Sequence, residues 1–250
     1  MSLKIREIYS QNFDIKPRKR KNLKFLILHY TGMKSEKKAI SRLIEIQSQV
    51  STHYFIKYNG EILRMVPDQY IAWHAGFSQW GENKFLNKNS IGIEISNVGH
   101  QYGYTNFNKK QLKSIIKLAK TLIKKYKIKK NNILGHSDIS PERKKDPGEK
   151  FPWKILFKYK IGIWHNLNYR KLLNLRKKIT SSMERRKFMS NLKKFGYPNK
   201  SHIIKKRQKY NSLLIKAFQR RFRPELVNGK IDRECLVILN KLIVLTKKNA

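Results

Sequence analysis

Three apolar, partly β-branched runs constrain this chain most, and two of them stop at a histidine. Phe25-Leu26-Ile27-Leu28 ends at His29, and Ile133-Leu134 leads through Gly135 into His136. Short apolar runs bounded by polar residues read as buried strands. The third run, Ile91-Gly92-Ile93-Glu94-Ile95-Ser96, alternates strictly, so its isoleucines face one way and Gly92, Glu94 and Ser96 the other. Residues 109–127 put Leu112, Ile115, Ile116, Ala119, Leu122, Ile123 and Tyr126 on one helical stripe, opened by an Asn108/Gln111 capping box. A shorter helix is expected over 39–47, on Ile40, Leu43, Ile44 and Ile46. His53–Tyr58 and Glu61–Val66 flank Asn59-Gly60, which predicts a hairpin with a tight left-handed turn. Residues 71–90, rich in Trp, Gly, Asn and Ser, read as a long functional loop. Strands and helices that alternate in this way predict an α/β fold, a mixed central sheet flanked by helices.

The pattern loosens after about residue 155, where Lys, Arg and Asn take over. Phe188, Leu192 and Phe195 then mark one short helix ending at Gly196. Leu213, Leu214, Ala217, Phe218 and Phe222 mark a second, stopped near Pro224, and Asp232 caps a third carrying Leu236, Leu239 and Ile243. The expected organisation is a first domain over 1–170, a linker over 171–184 and a small three-helix bundle over 185–250.

His29 and His136 both sit where a strand end can aim a side chain into a cleft. Asp146 follows His136 by ten residues, in an Asp-Pro-Gly turn that could equally be held by turn-capping alone. Two histidines and one carboxylate make a three-ligand zinc site with a fourth position free for water. The same ligand types also suit non-haem iron, here through His136, Asp138 and either His165 or His202. Glu94 points away from its isoleucine face and into whatever cleft the strand borders, and Lys144 stands two residues before Asp146.

Composition narrows the compartment and partners only in part. The 250 residues are 40% hydrophobic, enough for a core, and no stretch reaches the roughly 18–20 apolar residues of a membrane span. Cys235 is the single cysteine, which excludes disulfides within the chain. The formal net charge is +41. Charge of that size attracts polyanions, including nucleic acid, anionic membrane and anionic cell wall. The basic residues are nevertheless spread along the chain in a Lys-, Asn- and Ile-rich background, as compositional bias produces. Glu184, Glu225, Asp232 and Glu234 are the only acidic residues after position 150, so the tail is the more basic part. Aromatic and basic residues interleave around Phe218–Arg223, but no nucleic-acid motif accompanies them, and no specific nucleic-acid partner is expected.

His29-Tyr30-Thr31, Ser51-Thr52-His53-Tyr54, Ala72-Trp73-His74-Ala75-Gly76, Asn89-Ser90-Ile91-Gly92-Ile93-Glu94, Gly135-His136-Ser137-Asp138-Ile139 and Asp146-Pro147-Gly148 with Phe151-Pro152-Trp153 occur in this order. Together they resemble the zinc-dependent N-acetylmuramoyl-L-alanine amidases of the amidase-2 family, the AmiD-type branch above all, with the AmpD branch as a relative. Ala217–Glu225 and Asn228–Asp232 resemble the helical peptidoglycan-binding module of that branch. The resemblance implies the amidase-2 fold shared with peptidoglycan recognition proteins. It implies one Zn2+ on His29, His136 and Asp146, an acid/base role for Glu94, and transition-state support from Lys144. It puts His53, Trp73 and His74 in the substrate cleft, with a structural role for His53 kept open, and leaves His100, His165 and His202 as surface histidines. It further implies a monomer acting on peptidoglycan or muropeptides. The cell envelope is the location implied, although Met1–Ile8 shows no signal-peptide run and the cytoplasm stays open. A recognition protein on the same fold, binding without hydrolysis, is the other reading.

Overall fold

β-Branched and leucine side chains favour the pleated, half-buried surface of a sheet, and here they build one on which the site rests. The computed structural model describes residues 3–176, 178–198 and 207–247. In chain order the strands of the main sheet are β1 (Ile5–Glu7), β3 (Phe25–Tyr30), β4 (Tyr54–Ile56), β5 (Ile62–Arg64), β9 (Ser90–Ile95) and β10 (Ile133–Gly135). Two small antiparallel pairs flank it: β2 (Phe13–Asp14) with β6 (Ile71–Ala72), and β7 (Gln79–Trp80) with β8 (Asn83–Lys84). The main sheet runs β1-β5-β4-β9-β3-β10. β4, β9, β3 and β10 are mutually parallel, and β5 is antiparallel to β4. Leu26, Ile27 and Leu28 are wholly buried in the middle of it, and so are Ile91, Ile93 and Ile95. Each such side chain contributes roughly 1.5–3 kcal/mol of burial.

Helix α1 (Glu36–Ile44) is capped by Ser35, whose side chain accepts from Lys38 N. It buries Ala39 and Leu43, whereas Ile46 lies beyond the helix and is exposed. Helix α2 (Lys109–Tyr126) starts at the expected Asn108/Gln111 capping box and buries Ile115, Leu118, Ala119 and Leu122.

The hairpin between β4 and β5 turns differently from the expected tight turn. Gly60 N donates to Lys57 O and Lys57 N to Glu61 O, both at 2.9 Å. Only Gly60 is left-handed, at φ +87°, so the loop is a turn followed by a glycine bulge and Asn59 keeps an ordinary conformation. A Cβ on Gly60 would also come within 2.9 Å of Lys110 O, so two constraints fix glycine there.

α3 (His136–Ile139) follows β10 directly, and α4 (Trp153–Lys158) closes the segment behind it. The tail holds the three expected helices, α6 (Ser182–Phe195), α7 (Arg207–Phe222) and α8 (Arg233–Lys247). The sequence reading missed a fourth, α5 (Tyr169–Arg176). That helix buries only Leu172 and carries too few apolar residues for a visible stripe. It is tied to α8 by Arg176, which donates Nε to Glu234 at 2.6 Å. The stretch 171–184, read from sequence as a linker, thus contains most of α5 and the start of α6. One apolar core runs without a break from the sheet into α5–α8, joining Leu134 and Trp153 to Phe218, Phe222 and Ile238. No helix among the described residues is long and apolar enough to cross a membrane.

Candidate active site

The parallel ladder brings the two histidines together. Leu28 pairs with Gly135 across β3 and β10, so the next residue on each chain, His29 and His136, emerges at the same edge of the sheet. His29 Nδ1 and His136 Nδ1 are 3.0 Å apart, and Asp146 Oδ2 is 3.1 Å from each. Asp146 is placed by the loop after α3, where Ser137 N donates to its carbonyl at 2.8 Å. All three residues are buried, and they form the one cluster with metal-ligand geometry among the described residues.

Outer hydrogen bonds fix which ring nitrogens carry protons. His136 Nε2 faces Ala75 O at 3.2 Å, and a carbonyl only accepts, so Nε2 holds the proton and Nδ1 presents a lone pair. Ser90 Oγ donates to Leu86 O, which leaves it to accept from His74 Nε2 at 3.2 Å. His74 Nδ1 then accepts from His29 Nε2 at 3.0 Å, and His29 Nδ1 is also a bare lone pair. Two imidazole lone pairs and a carboxylate oxygen thus converge with no proton between them, an arrangement that a cation relieves. A tetrahedral ion with bonds of 2.0–2.1 Å spaces its ligands by about 3.3 Å, close to the separations found here.

The electrostatics agree. Burial, then the neighbouring His136, lowers the His29 pKa to about 4, so the ring stays neutral as a ligand must be. His74 is likewise kept well below the ordinary histidine value, by burial first and His29 second.

Glu94 stands directly opposite His29 in the β3–β9 register. Its Oε2 is buried and has no hydrogen-bond partner. Burial, reinforced by the charge of Asp146 and eased by Lys144, raises its pKa to about 8. A carboxyl poised near neutrality and free of partners can carry a proton both ways. Glu94, Lys144, His136, Asp146 and Trp73 share the wall of a cavity of about 670 Å³, with Arg42, Arg143 and Lys145 adding positive charge around it. The Trp73 indole is pinned by donation of Nε1 to Asp14 Oδ1 at 2.7 Å.

Other expectations need correction. His53 is wholly buried and does not line the cavity, so no substrate reaches it. Its Nδ1 accepts from Gly92 N at 3.0 Å, and its Nε2 lies 2.7 Å from Arg18 Nη2, which makes it a strut beneath β9. His74 borders the cavity but is 8% exposed, with both ring nitrogens committed to His29 and Ser90, so it orients His29 and has no free nitrogen for substrate. Gly92 makes room for it, since a Cβ there would meet the His74 ring at 2.5 Å. A glycine inside an alternating strand signals such a close approach, and that was the available clue. The iron trio through His165 is not assembled: Asp138 bonds Tyr197 and Arg221, and His165 faces Phe222 O at 3.2 Å. His165 is 5% exposed and not a surface histidine. His100 lies on the cavity wall between Tyr30 and Glu149, and His202 falls outside the described residues.

Known proteins share this architecture. The family model described as N-acetylmuramoyl-L-alanine amidase matches residues 19–149. The chain is 35% identical over 233 residues to N-acetylmuramoyl-L-alanine amidase AmiD of Escherichia coli, covering 88% of this chain and 82% of that protein. It is 34% identical over 167 residues to the 1,6-anhydro-N-acetylmuramyl-L-alanine amidase AmpD of Haemophilus influenzae, covering 60% of this chain and 88% of that one. A solved structure of Escherichia coli AmiD in complex with anhydro-N-acetylmuramic acid-L-Ala-D-gamma-Glu-L-Lys superposes with a TM-score of 0.77 at 33% identity, covering 93% of this chain and 92% of that one. With the family model over more than half its length and a relative of this closeness matched nearly end to end, the chain belongs to the N-acetylmuramoyl-L-alanine amidase family.

Proposed function

We propose that this protein is a zinc amidase that cleaves the amide between the lactyl group of N-acetylmuramic acid and L-alanine, in peptidoglycan or muropeptides. The observation that carries the reading is the convergence of three proton-free donor atoms, from His29, His136 and Asp146, beside the unpartnered carboxyl of Glu94. AmiD of Escherichia coli, whose structure matches 93% of this chain, was solved with a substrate of this class. When bound, the ion supplies a Lewis acid that polarises the scissile carbonyl and makes water nucleophilic near neutral pH.

The chain's own groups do the rest. Glu94 takes a proton from the attacking water and delivers it to the departing L-alanine nitrogen, so one carboxyl serves as base and then acid. The Lys144 ammonium, on the same cavity wall, faces the negative charge that develops on the carbonyl oxygen, a contribution often worth about 3–4 kcal/mol. Trp73, with its indole pinned, walls the cleft. Arg42, Arg143 and Lys145 attract the carboxylates of a stem peptide. The basic helical tail is proposed to hold the enzyme on the cell wall.

Mass spectrometry of muropeptides before and after incubation tests the activity. Stem peptide should be released with zinc present and retained when a chelator is added. Zinc bound stoichiometrically with intact muropeptides would instead favour a recognition protein. The His74 relay makes a separate prediction. H74A leaves the His29 Nε2 proton without an acceptor, and zinc affinity should fall roughly 10–100-fold. Equilibrium competition with a coloured chelator reads this directly, and an unchanged constant would remove His74 from the centre.

A further inference from the structure

The loop that carries His136 is gripped by the far end of the chain. Asp138, two residues on, is 1% exposed and accepts three hydrogen bonds. They come from Gly135 N at 2.8 Å, Tyr197 Oη at 2.6 Å and Arg221 Nη1 at 2.7 Å. Arg221 is itself 2% exposed, and its Nη2 donates to Ile133 O at 2.8 Å. Its guanidinium lies over the Trp153 ring, 4.6 Å from the centroid. One planar fork therefore clasps β10 at Ile133 and the first turn of α3 at Asp138, the two points on either side of His136. A lysine ammonium cannot span both acceptors and stack on the indole. The grip passes to the third ligand as well: Ser137, between His136 and Asp138, donates its amide to the Asp146 carbonyl. Gly135 is enclosed by Pro147 and Trp153, so the strand end and the Asp146 turn are packed as one piece.

We propose that Arg221 is a positioning residue of the metal centre, assisted by Tyr197, so that helix α7 sets where His136 and Asp146 stand. The proposal rests on the metal reading above. Arg221 touches neither substrate nor reacting atoms; it acts through Asp138. If it served stability alone, any buried arginine of the same helical region would be its equal. Arg223 is that control. It is 1% exposed and pairs with Asp232 and Glu234 next to α8, away from the His136 loop.

The test uses the full chain as wild type, R221M, R221K and R223M. Zinc dissociation constants are measured by chelator competition at a temperature where far-UV circular dichroism shows every variant folded. R221M and R223M should both melt earlier than wild type. Zinc binding should weaken about 10–100-fold in R221M, by a smaller factor in R221K, and by less than twofold in R223M. If R221M does not fold, R221K carries the comparison. Wild-type zinc affinity in the Arg221 variants, or an equal loss in R223M, overturns the proposal. A wild-type protein that binds no zinc would overturn the metal reading instead, which keeps the two failures apart.

Discussion

Replacing Asp146 with alanine will strip the metal and with it all measurable turnover. In the proposed centre the aspartate is one of three donors, and among the described residues its carboxylate lies against both histidines. Structural zinc sites bind with about 10–16 kcal/mol, so one ligand accounts for roughly 3 kcal/mol or more, a factor above about 100 in affinity. The loss should also be visible without any substrate. A ligand present at 1,000 times its dissociation constant stabilises a fold by about 4 kcal/mol, and one bound 100-fold more weakly at the same concentration by about 1.4 kcal/mol, so zinc should raise the melting temperature of the wild type at least about three times as far as that of D146A. Equal zinc-dependent shifts in the two proteins would show that the ion sits elsewhere.

E94Q should separate chemistry from metal binding. Its zinc affinity should match the wild type, while kcat falls by about 10²–10⁴, the range associated with general acid–base catalysis. An unchanged kcat would take Glu94 out of the reaction. The same variant predicts a pH effect in the metal-free protein. Burial pushes the Glu94 carboxyl up to about 8 in the fold, against an ordinary value of 4.5. The folded state therefore holds a proton that the unfolded chain releases, and stability contributed by the neutral carboxyl is full below about 4.5 and lost as pH rises through about 8. Glutamine is free of this penalty. The stability gap favouring E94Q should open between pH 5 and pH 8, reach on the order of 2–4 kcal/mol, and then level off. A gap independent of pH would mean that Glu94 is already ionised in the fold.

Much of this centre was legible because strand chemistry leaves a strong trace. An apolar run ending at His29, another ending at His136, and an alternating strand with Glu94 on its polar side announce three strand ends facing one cleft. What stayed hidden depends on pairs distant in sequence. Nothing near His53 says that it will accept from Gly92, or near His74 that it will accept from His29, since motif membership marks a residue as present and not as facing substrate. The clasp on Asp138 joins residues 83 positions apart, and a buried arginine looks in sequence like any other member of a very basic tail. α5 escaped because one buried leucine makes no period.

The pairing of Leu28 with Gly135 has a further reach. Neighbouring strands lie about 4.8 Å apart wherever peptide groups form a ladder, so the main chain sets the spacing from which the two histidines depart, and the grip on Asp138 sets the rest. A descendant that keeps both could drift far in the rest of its interior and still keep the same reach between its histidines.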